Sequence, residues 1–260
     1  MGRQTKMKTM KRLALFLLLA LPIVMQAQDY TCTTNNGALT INHYTGAGGV
    51  VVIPDTINAL PVTRIEGLAF FRNPSLTSIS IGNNVASIGN FAFHECFNLA
   101  EISIGTNLAF IEKNAFGFCG ITNVAIPNSV TNIGDYVFAH CHNLTNVKIG
   151  NHVTRIGTEA FTLCSNLKNV IIGNSVKSIG AKAFYACTNL TSIIIPTGVT
   201  NIEHGAFSSC SLIGIYFEGN TPIADSSIFS YDTNLTVYYL PDTTGWGATF
   251  GGRPTALWKQ

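Results

Sequence analysis

Charged residues are scarce in this sequence. Asp, Glu, Lys and Arg together make up 11% of its 260 residues, whereas 47% are hydrophobic. This composition indicates an ordered protein with a large core and excludes a disordered chain. The formal net charge of +2 comes from the N-terminal segment 1–27, which carries five cations and no acids; residues 28–260 hold 10 Lys and Arg against 13 Asp and Glu. A mildly acidic chain with scattered cations predicts no nucleic-acid partner.

Motifs for catalysis and cofactor binding are also missing. The sequence has no Cys-x-x-Cys pair, no Gly-x-Ser-x-Gly nucleophile elbow and no phosphate-cradling loop, so redox, hydrolase and nucleotide chemistry have no support. His140-Cys141-His142 carries metal-ligand chemistry, but Cys141 belongs to a repeated position that we expect to be buried, so the flanking histidines need not converge. We predict no catalytic residues, no metal site, no cofactor and no enzyme activity.

Long apolar runs are confined to the N-terminus. Leu13–Val24 is an apolar stretch of about a dozen residues, and four basic residues between positions 6 and 12 precede it. A membrane span needs about 20 residues, so this run matches a signal peptide better than a transmembrane helix; a buried N-terminal helix is the alternative. We predict that residues 1–27 are an export signal cut near Ala27. The mature chain is then secreted, on the cell surface or in the periplasm, without a transmembrane segment.

What the chain does contain is a repeat of about 23 residues with the pattern Val-Thr-x-Ile-Gly-x-x-Ala-Phe-x-x-Cys-x-x-Leu-x-x-Ile-x-Ile. A unit this short cannot bury its own apolar face, so its copies must stack into a solenoid. Seven copies follow one another at intervals of 22 or 23 residues, and they begin at Val62, Val85, Leu108, Val130, Val153, Val176 and Val199.

Each copy divides into three segments. The first segment, Val-Thr-x-Ile, has two β-branched positions and predicts a short extended stretch. The second segment, x-x-Ala-Phe-x-x-Cys, does not alternate and predicts a single helical or 3₁₀ turn. The third segment, Leu-x-x-Ile-x-Ile, alternates like a strand with one buried face, and Gly or Pro follows it.

The predicted fold is an α/β-type solenoid, mostly β, with seven repeats of about 23 residues. The third segments form a parallel sheet on one face, with strands about 4.8 Å apart, and one phenylalanine per copy forms a buried column. A solenoid exposes its core at both ends unless these are capped. We therefore divide the chain into the signal (1–27), an N-terminal β cap (28–61), the repeat solenoid (62–219) and a C-terminal cap (220–260), with the Trp246 and Trp258 region folding over the terminal core.

The repeat resembles the BspA-like, or Treponema pallidum type, leucine-rich repeats of bacterial surface proteins. The resemblance is strong from Val62 to about Phe217, and the flanks around Val50–Pro54 and Thr243–Gly247 are similar to those of the family. It implies a leucine-rich repeat fold, export, and a signal and flanks of the style found in Bacteroides-type bacteria. Some members are adhesins for host matrix proteins or other bacteria. It does not imply a particular ligand.

Two repeated polar columns have alternative interpretations. Six cysteines share one repeat position, at Cys96, Cys119, Cys141, Cys164, Cys187 and Cys210. Export to an oxidising compartment suggests a disulfide ladder, whereas parallel, in-register side chains favour buried free thiols. Asn143, Asn189 and Asn234 match the glycosylation triplet. The first two follow from the repeat itself, where Asn98 and Asn166 share their position, and this favours hydrogen bonds to turn backbone.

The outward face of the third-segment sheet carries the candidate site. Its second outward column changes along the solenoid from small polar residues to Ile171, Ile194 and Tyr216, which predicts an exposed apolar strip. Exposed contiguous apolar surface often marks a binding site; burial under the C-terminal cap, or a simple strand preference, is the alternative. The predicted ligand-binding residues are Asn146, Lys148, Asn169, Ile171, Ser192, Ile194 and Tyr216.

Three functions follow from this sequence. The first is an exported, non-catalytic binding or adhesion module that recognises a protein or glycan, such as host matrix or another bacterium, through the outward sheet. The second is a structural or self-assembling component of the cell envelope. The third, an enzyme, would need a cleft with convergent polar groups, which a solenoid of this length seldom builds.

Overall fold

A computed structural model describes residues 29–259. The predicted export signal at residues 1–27 lies outside this range. The described residues form a parallel β solenoid and contain no helix. The strands, in chain order, are β1 (Tyr30–Asn35), β2 (Ala38–Tyr44), β3 (Gly49–Ile53), β4 (Thr56–Ile57), β5 (Leu60–Ile65), β6 (Leu76–Ile81), β7 (Ser87–Ile88), β8 (Glu101–Ser103), β9 (Phe110–Ile111), β10 (Asn123–Ala125), β11 (Asn132–Ile133), β12 (Asn146–Lys148), β13 (Arg155–Ile156), β14 (Asn169–Ile171), β15 (Ser178–Ile179), β16 (Ser192–Ile195), β17 (Asn201–Ile202), β18 (Gly214–Phe217), β19 (Thr236–Tyr239), β20 (Thr249–Phe250) and β21 (Arg253–Leu257).

Two parallel sheets run along the solenoid, where the sequence predicted one. The first-segment sheet is a continuous ladder in the order β1-β2-β5-β7-β9-β11-β13-β15-β17. The third-segment sheet is made of three hydrogen-bonded groups, β3-β6-β8, β10-β12-β14 and β16-β18-β19-β21-β20. The first-segment strands of the middle repeats are two residues long and still pair in register, as Ile156 does with Ile179. The repeat spacing therefore sets the register on both faces.

The predicted phenylalanine column is the centre of the core. Phe138 and Phe161 stack at a centroid distance of 5.4 Å, and Phe161 and Phe184 stack at 5.3 Å. The column is longer than the seven copies because Tyr44 and Phe229 extend it, so the solenoid has about nine turns. The stacked rings are Tyr44, Phe70, Phe93, Phe116, Phe138, Phe161, Phe184, Phe207 and Phe229.

The second segment is a hydrogen-bonded turn, and the predicted helical or 3₁₀ turn does not occur in the described residues. Two residues of each turn have left-handed backbone: in one copy these are Glu159, with a φ of 53°, and Leu163, with a φ of 58°. Their amides bond the next turn instead of their own, since Leu163 N donates to Tyr185 O at 2.8 Å. Hydrogen bonds between turns thus replace the hydrogen bonds of a helix.

The ends of the solenoid are closed by different devices. At the N-terminal end, β2 and β3 pair in parallel with β5 and β6 and so begin the solenoid, and β1 covers β2 as an antiparallel strand. At the C-terminal end, β19 and β21 continue the third-segment sheet, and β20 turns back along β21. Trp246 packs on Phe217 at 4.9 Å and covers the last turn, as predicted.

Candidate functional site

The seven predicted binding residues lie on one face, the outward side of the third-segment sheet. Asn146 pairs with Asn169 and Lys148 with Ile171 between β12 and β14, and Ile194 pairs with Tyr216 between β16 and β18. The two isoleucines are exposed, with 61% of Ile171 and 47% of Ile194 accessible to solvent. The C-terminal cap does not cover these two isoleucines, whereas Tyr216, the third residue of the strip, is partly buried.

The asparagine column forms a ladder of side-chain amides. Asn169 Nδ2 donates to Asn146 Oδ1 at 2.7 Å, and Asn146 Nδ2 donates to Asn123 Oδ1 at 2.6 Å and to Thr145 Oγ1 at 2.9 Å. These bonds tie neighbouring repeats together. They also commit the amide of Asn146 to the protein itself, so this predicted site residue has little hydrogen-bonding capacity left for a ligand.

Two aromatic residues that the sequence analysis did not select complete this face. The ring of Tyr238 stacks on Tyr216 at 4.9 Å, and the Trp258 ring lies 5.1 Å from Tyr216 with a tilt of 53°. Trp258 reaches this position because β21 runs beside β19, and its amide donates to Tyr239 O at 2.7 Å. The prediction that Trp258 folds over the terminal core is therefore wrong, because its side chain belongs to the outward face.

Gly214 gives the Tyr216 ring its place. Gly214 occupies the outward column in which earlier copies carry Glu, Asn or Ser, and a Cβ there would lie 2.8 Å from Tyr216 Oη. Without that Cβ the ring leans back along its own strand over the glycine. The Tyr216 ring therefore takes its position from a missing side chain two positions earlier.

A groove of about 570 Å³ follows from this packing. It is lined by both isoleucines of the strip, by Tyr216 and Trp258, and by Lys168 at its edge. Two further depressions adjoin it: one of about 680 Å³ shares Trp258, and one of about 250 Å³ shares Ile171 and Ile194. The outward face at the C-terminal end is thus a connected concave surface, with Lys168 as the charged residue in the lining of the central groove.

A separate depression of about 480 Å³ lies beside the second segments of the last turns, and Tyr231 and Asp232 line it. Asp232 is buried and holds the end of the cysteine column, where it accepts hydrogen bonds from the amides of Ser211 at 2.6 Å and Leu212 at 2.9 Å. Because the Asp232 carboxylate caps backbone amides, it is not free to bind a ligand in this depression.

The structure brings together one Ser-His-Asp cluster among residues 29–259, at the junction of the last repeat and the C-terminal cap. Ser227 Oγ lies 2.8 Å from His204 Nδ1 and donates to Asp225, while Gly205 N donates to Ser227 Oγ at 3.1 Å. Asp225 Oδ2 is also 3.5 Å from His204 Nδ1. A catalytic triad needs the serine and the carboxylate on opposite ring nitrogens, so this exposed cluster joins two turns and activates no nucleophile.

This cluster was not predicted from the sequence because His204 and Ser227 stand one full repeat apart along the chain. They occupy the same position in successive turns, so the repeat spacing carries the signal. Hydrogen bonds from Ser227 hold the pKa of Asp225 below its usual value, and His204 adds to this effect. The cluster therefore contributes an ionised carboxylate to the start of the cap.

Residues 29–259 show no cluster of metal ligands and no membrane-spanning helix. No group of three or more His, Cys, Asp or Glu side chains in that range has the arrangement of a metal site. The His140 ring stacks on Phe118 at 4.1 Å and meets His142 edge-on at 5.8 Å. The same part of the chain contains no helix with the length and apolar character needed to cross a membrane.

The glycosylation triplets lie in the turn that precedes the third segment. Asn189 Nδ2 donates to Ser165 O at 2.9 Å, and Asn98 Nδ2, at the same repeat position, donates to Pro74 O at 2.8 Å. These bonds reach the backbone of the preceding turn, so the asparagine at this repeat position joins neighbouring copies. Of the three triplet asparagines, Asn189 makes the expected bond to backbone.

This fold, two parallel β ladders around a core that recurs once in every repeat, defines a leucine-rich repeat protein. The chain belongs to the family described as BspA type leucine rich repeat region (6 copies), whose model matches residues 63–176 and 154–245. The earlier resemblance is confirmed. No curated protein matches the chain.

Solved structures of leucine-rich repeat proteins are similar to it. The T. pallidum leucine rich repeat protein is 29% identical with a TM-score of 0.58, over 76% of this chain and 83% of that protein. A leucine-rich repeat protein from Bacteroides ovatus is 24% identical with a TM-score of 0.47, over 81% and 69%. A leucine rich cell surface protein from Faecalibacterium prausnitzii is 20% identical with a TM-score of 0.38, over 84% and 94%.

Proposed function

We propose that this chain is an exported, non-catalytic binding and adhesion module that recognises a protein or glycan through the outward face of its third-segment sheet. The observation that carries this proposal is the strip formed by the exposed Ile171 and Ile194 and the partly buried Tyr216, which lines adjoining depressions on one face. A concave, mainly apolar surface with a few polar groups at its edge is the usual form of a ligand site.

The free energy available at this strip supports the proposal. Burying apolar surface contributes about 25 cal/mol for each Å² removed from water, and Ile171 and Ile194 are roughly half exposed or more. Aromatic side chains such as Tyr216 and Trp258 are common at the centres of binding surfaces because they bury a large area with little loss of side-chain freedom. A ligand seated here would cover all four side chains at once.

The cellular setting of the proposal is outside the cytoplasm. The signal-like residues 1–27 support secretion or a position on the cell surface or in the periplasm. Host matrix and other bacteria are the candidate partners, because some members of the family are adhesins. The 10 basic and 13 acidic residues of positions 28–260 give no support for a nucleic-acid partner.

A matched pair of surface variants tests this function. Ile194→Asp places a charge in the strip, whereas Ile223→Asp makes the same change at an isoleucine that is 77% exposed in the C-terminal cap, outside the linings of the outward depressions. We expect the purified wild-type protein and Ile223→Asp to retain binding to matrix proteins or arrayed glycans, and Ile194→Asp to lose it. If all three folded proteins bind alike, the outward face is not the site.

Self-assembly in the cell envelope is the second candidate, and a different observation favours it. Strand β3 has β6 as its one neighbour in the described chain, and Val50 and Val52 on this edge strand are 75% and 41% exposed. An unpaired edge with apolar side chains can pair with another chain. Sedimentation over a range of concentrations tests it: Val50→Lys should abolish a concentration-dependent dimer, and a wild-type monomer at all concentrations would exclude this role.

A further inference from the structure

The groove between Ile171 and Trp258 combines an apolar lining with one lysine. We propose that this groove takes an acidic peptide segment of a protein partner, with an apolar side chain against Ile194 and Tyr216 and a carboxylate beside Lys168. This inference rests on the function proposed above and selects a protein ligand over a glycan.

The apolar part of the inference follows from the groove lining. Four of the nine residues that line it are Ile171, Ile194, Tyr216 and Trp258. Tyr216 and Trp258 meet at a tilt of 53° to form a corner. A leucine or phenylalanine side chain placed in that corner would exchange water for contacts on two aromatic walls and an aliphatic floor. Anchors of this kind supply most of the binding energy in protein interfaces.

The shortage of free polar groups argues against a sugar in the same place. A sugar ring is covered with hydroxyl groups, and each hydroxyl removed from water must find a new hydrogen-bond partner. Along this face Asn146 and Asn169 already bond each other at 2.7 Å, and Asn146 also bonds Asn123. The polar side chains that line the groove are Lys168, Asn169 and Ser192, besides the Tyr216 hydroxyl and the Trp258 ring N–H. One N–H of Asn169 is already bonded to Asn146, so this set is small for a hydroxyl-rich ring.

Charge determines the second feature of the partner. Lys168 lines the groove, Lys148 is paired with Ile171 in the neighbouring strand, and neither lysine forms an ion pair with any residue from 29 to 259. An acid, Glu218, lines the two adjoining depressions but not the central groove. An anionic group is therefore favoured at the Lys168 edge, and a cationic ligand in the aromatic corner is disfavoured by the same lysine.

Three labelled peptides test the inference by fluorescence anisotropy. The first, Asp-Glu-Leu-Phe-Asp-Glu, has both the anchor and the acids; the second, Lys-Arg-Leu-Phe-Lys-Arg, has the anchor with the opposite charge; the third, Asp-Glu-Ser-Gly-Asp-Glu, has the acids without the anchor. We expect the first peptide to bind at least about tenfold more tightly than either of the others, because steering and pairing at the lysines add to apolar burial. Binding that does not distinguish the three would overturn the inference.

Charge reversal at the groove gives the sharper test. Lys168→Glu should weaken the first peptide at least about tenfold and strengthen the basic peptide, whereas Lys177→Glu, the same change at an exposed lysine just before β15 of the other sheet, should leave both unchanged. Gly214→Ala should weaken the first peptide through displacement of the Tyr216 ring without a change of charge. Equal effects of Lys168→Glu and Lys177→Glu would indicate general charge attraction and overturn the inference.

Failure of this inference can be told apart from failure of the proposed function. If Ile194→Asp abolishes capture of a matrix or envelope fraction, and periodate treatment of that fraction also abolishes capture while the first peptide does not compete, the occupant is a glycan: the inference falls and the binding function stands. If capture persists in Ile194→Asp, both fall. Competition by the first peptide, together with resistance of capture to periodate, supports the inference.

Discussion

The thiol of Cys164 donates a hydrogen bond to the backbone carbonyl of Phe138 in the preceding turn, across 3.1 Å. The six cysteines of the column repeat this bond with distances of 3.0 to 3.2 Å. Each thiol therefore points at the backbone beside a core phenylalanine rather than at the next cysteine. The cysteine column is a set of small apolar side chains that also donate one hydrogen bond, and all seven cysteines are free.

Chemical labelling of the thiols should reflect this burial. Burial raises the pKa of Cys141 to about 12, so its reactive thiolate is rare at neutral pH. We expect an excess of thiol reagent to modify at most the partly buried Cys32 in the native protein and all seven cysteines in denaturant. Mass spectrometry gives the count, and Cys32→Ser should leave no reactive thiol. Rapid native labelling of Cys164 would contradict the buried column.

The ring column should dominate stability. Phe161 is fully buried between Phe138 and Phe184, and its replacement by alanine should lower the free energy of unfolding by about 3–5 kcal/mol. The matched control is Phe110→Ala, since Phe110 is 54% exposed on the first-segment sheet and should cost about 1 kcal/mol or less. Denaturant unfolding measures both. Similar losses in the free energy of unfolding for the two variants would show that the phenylalanine column does not dominate the stability of the core.

Repeat spacing predicted the columns well because residues one repeat apart meet in neighbouring turns. It did not predict the backbone of the second segment. Glu159 and Leu163 are good helix formers, yet both adopt left-handed φ values because hydrogen bonds to the next turn require it. Other copies place arginine, phenylalanine or histidine at these positions. Such varied residue types give no local signal of a positive φ.

The left-handed positions give a reciprocal test with glycine. Ala186 has a φ of 55°. At this φ the Cβ of an alanine is sterically strained, whereas a glycine has no Cβ. Ala186→Gly should therefore raise the free energy of unfolding by about 0.5 kcal/mol. Gly205 has a φ of 62°, and a Cβ there would meet Lys182 Cγ at an ordinary 3.4 Å. Gly205→Ala should therefore cost about 1 kcal/mol through backbone strain alone.

The control for this pair is Ala183→Gly, in a buried residue without a positive φ, which should destabilise the protein by about 1 kcal/mol. Thermal or denaturant unfolding of the three variants separates the two effects. If Ala186→Gly is as damaging as Ala183→Gly, the left-handed turn does not exist in solution.

The candidate face was predictable only as far as the repeat extends. Ile171 and Ile194 could be placed on it because their copies align with the other copies of the motif. Tyr238 follows Tyr216 at the spacing of one short repeat. Recognition of an eighth repeat would therefore have placed Tyr238 on this face, although the residues around it match the motif poorly. Trp258 could not be placed, because the β20–β21 hairpin breaks the spacing before β21 joins the sheet. The repeat spacing predicts the structural position of a residue only while the repeats follow one another regularly, and Trp258 comes after an irregular connection.

Acid should destabilise the N-terminal half of the solenoid through His94. This side chain is 9% exposed, its ring lies 5.2 Å from Phe91 and 5.4 Å from Phe118, and its Nδ1 has no hydrogen-bond partner among residues 29–259. Burial lowers the pKa of His94, against a smaller opposing effect of Glu95, whose carboxylate is 3.5 Å away and is also paired with Arg72. The folded state therefore favours the neutral ring.

The sign of the pH dependence follows from this shift. A histidine with a lowered folded pKa binds fewer protons in the folded state than in the unfolded state, so stability is complete above the unfolded pKa of about 6.5 and falls as the pH drops below it. We expect the free energy of unfolding to decrease from pH 7 to pH 5. His94→Leu should reduce that slope without abolishing it, because burial also lowers the pKa of His140, whereas His152→Leu, at an exposed histidine, should preserve it. An unchanged slope in His94→Leu would mean that another group titrates with unfolding.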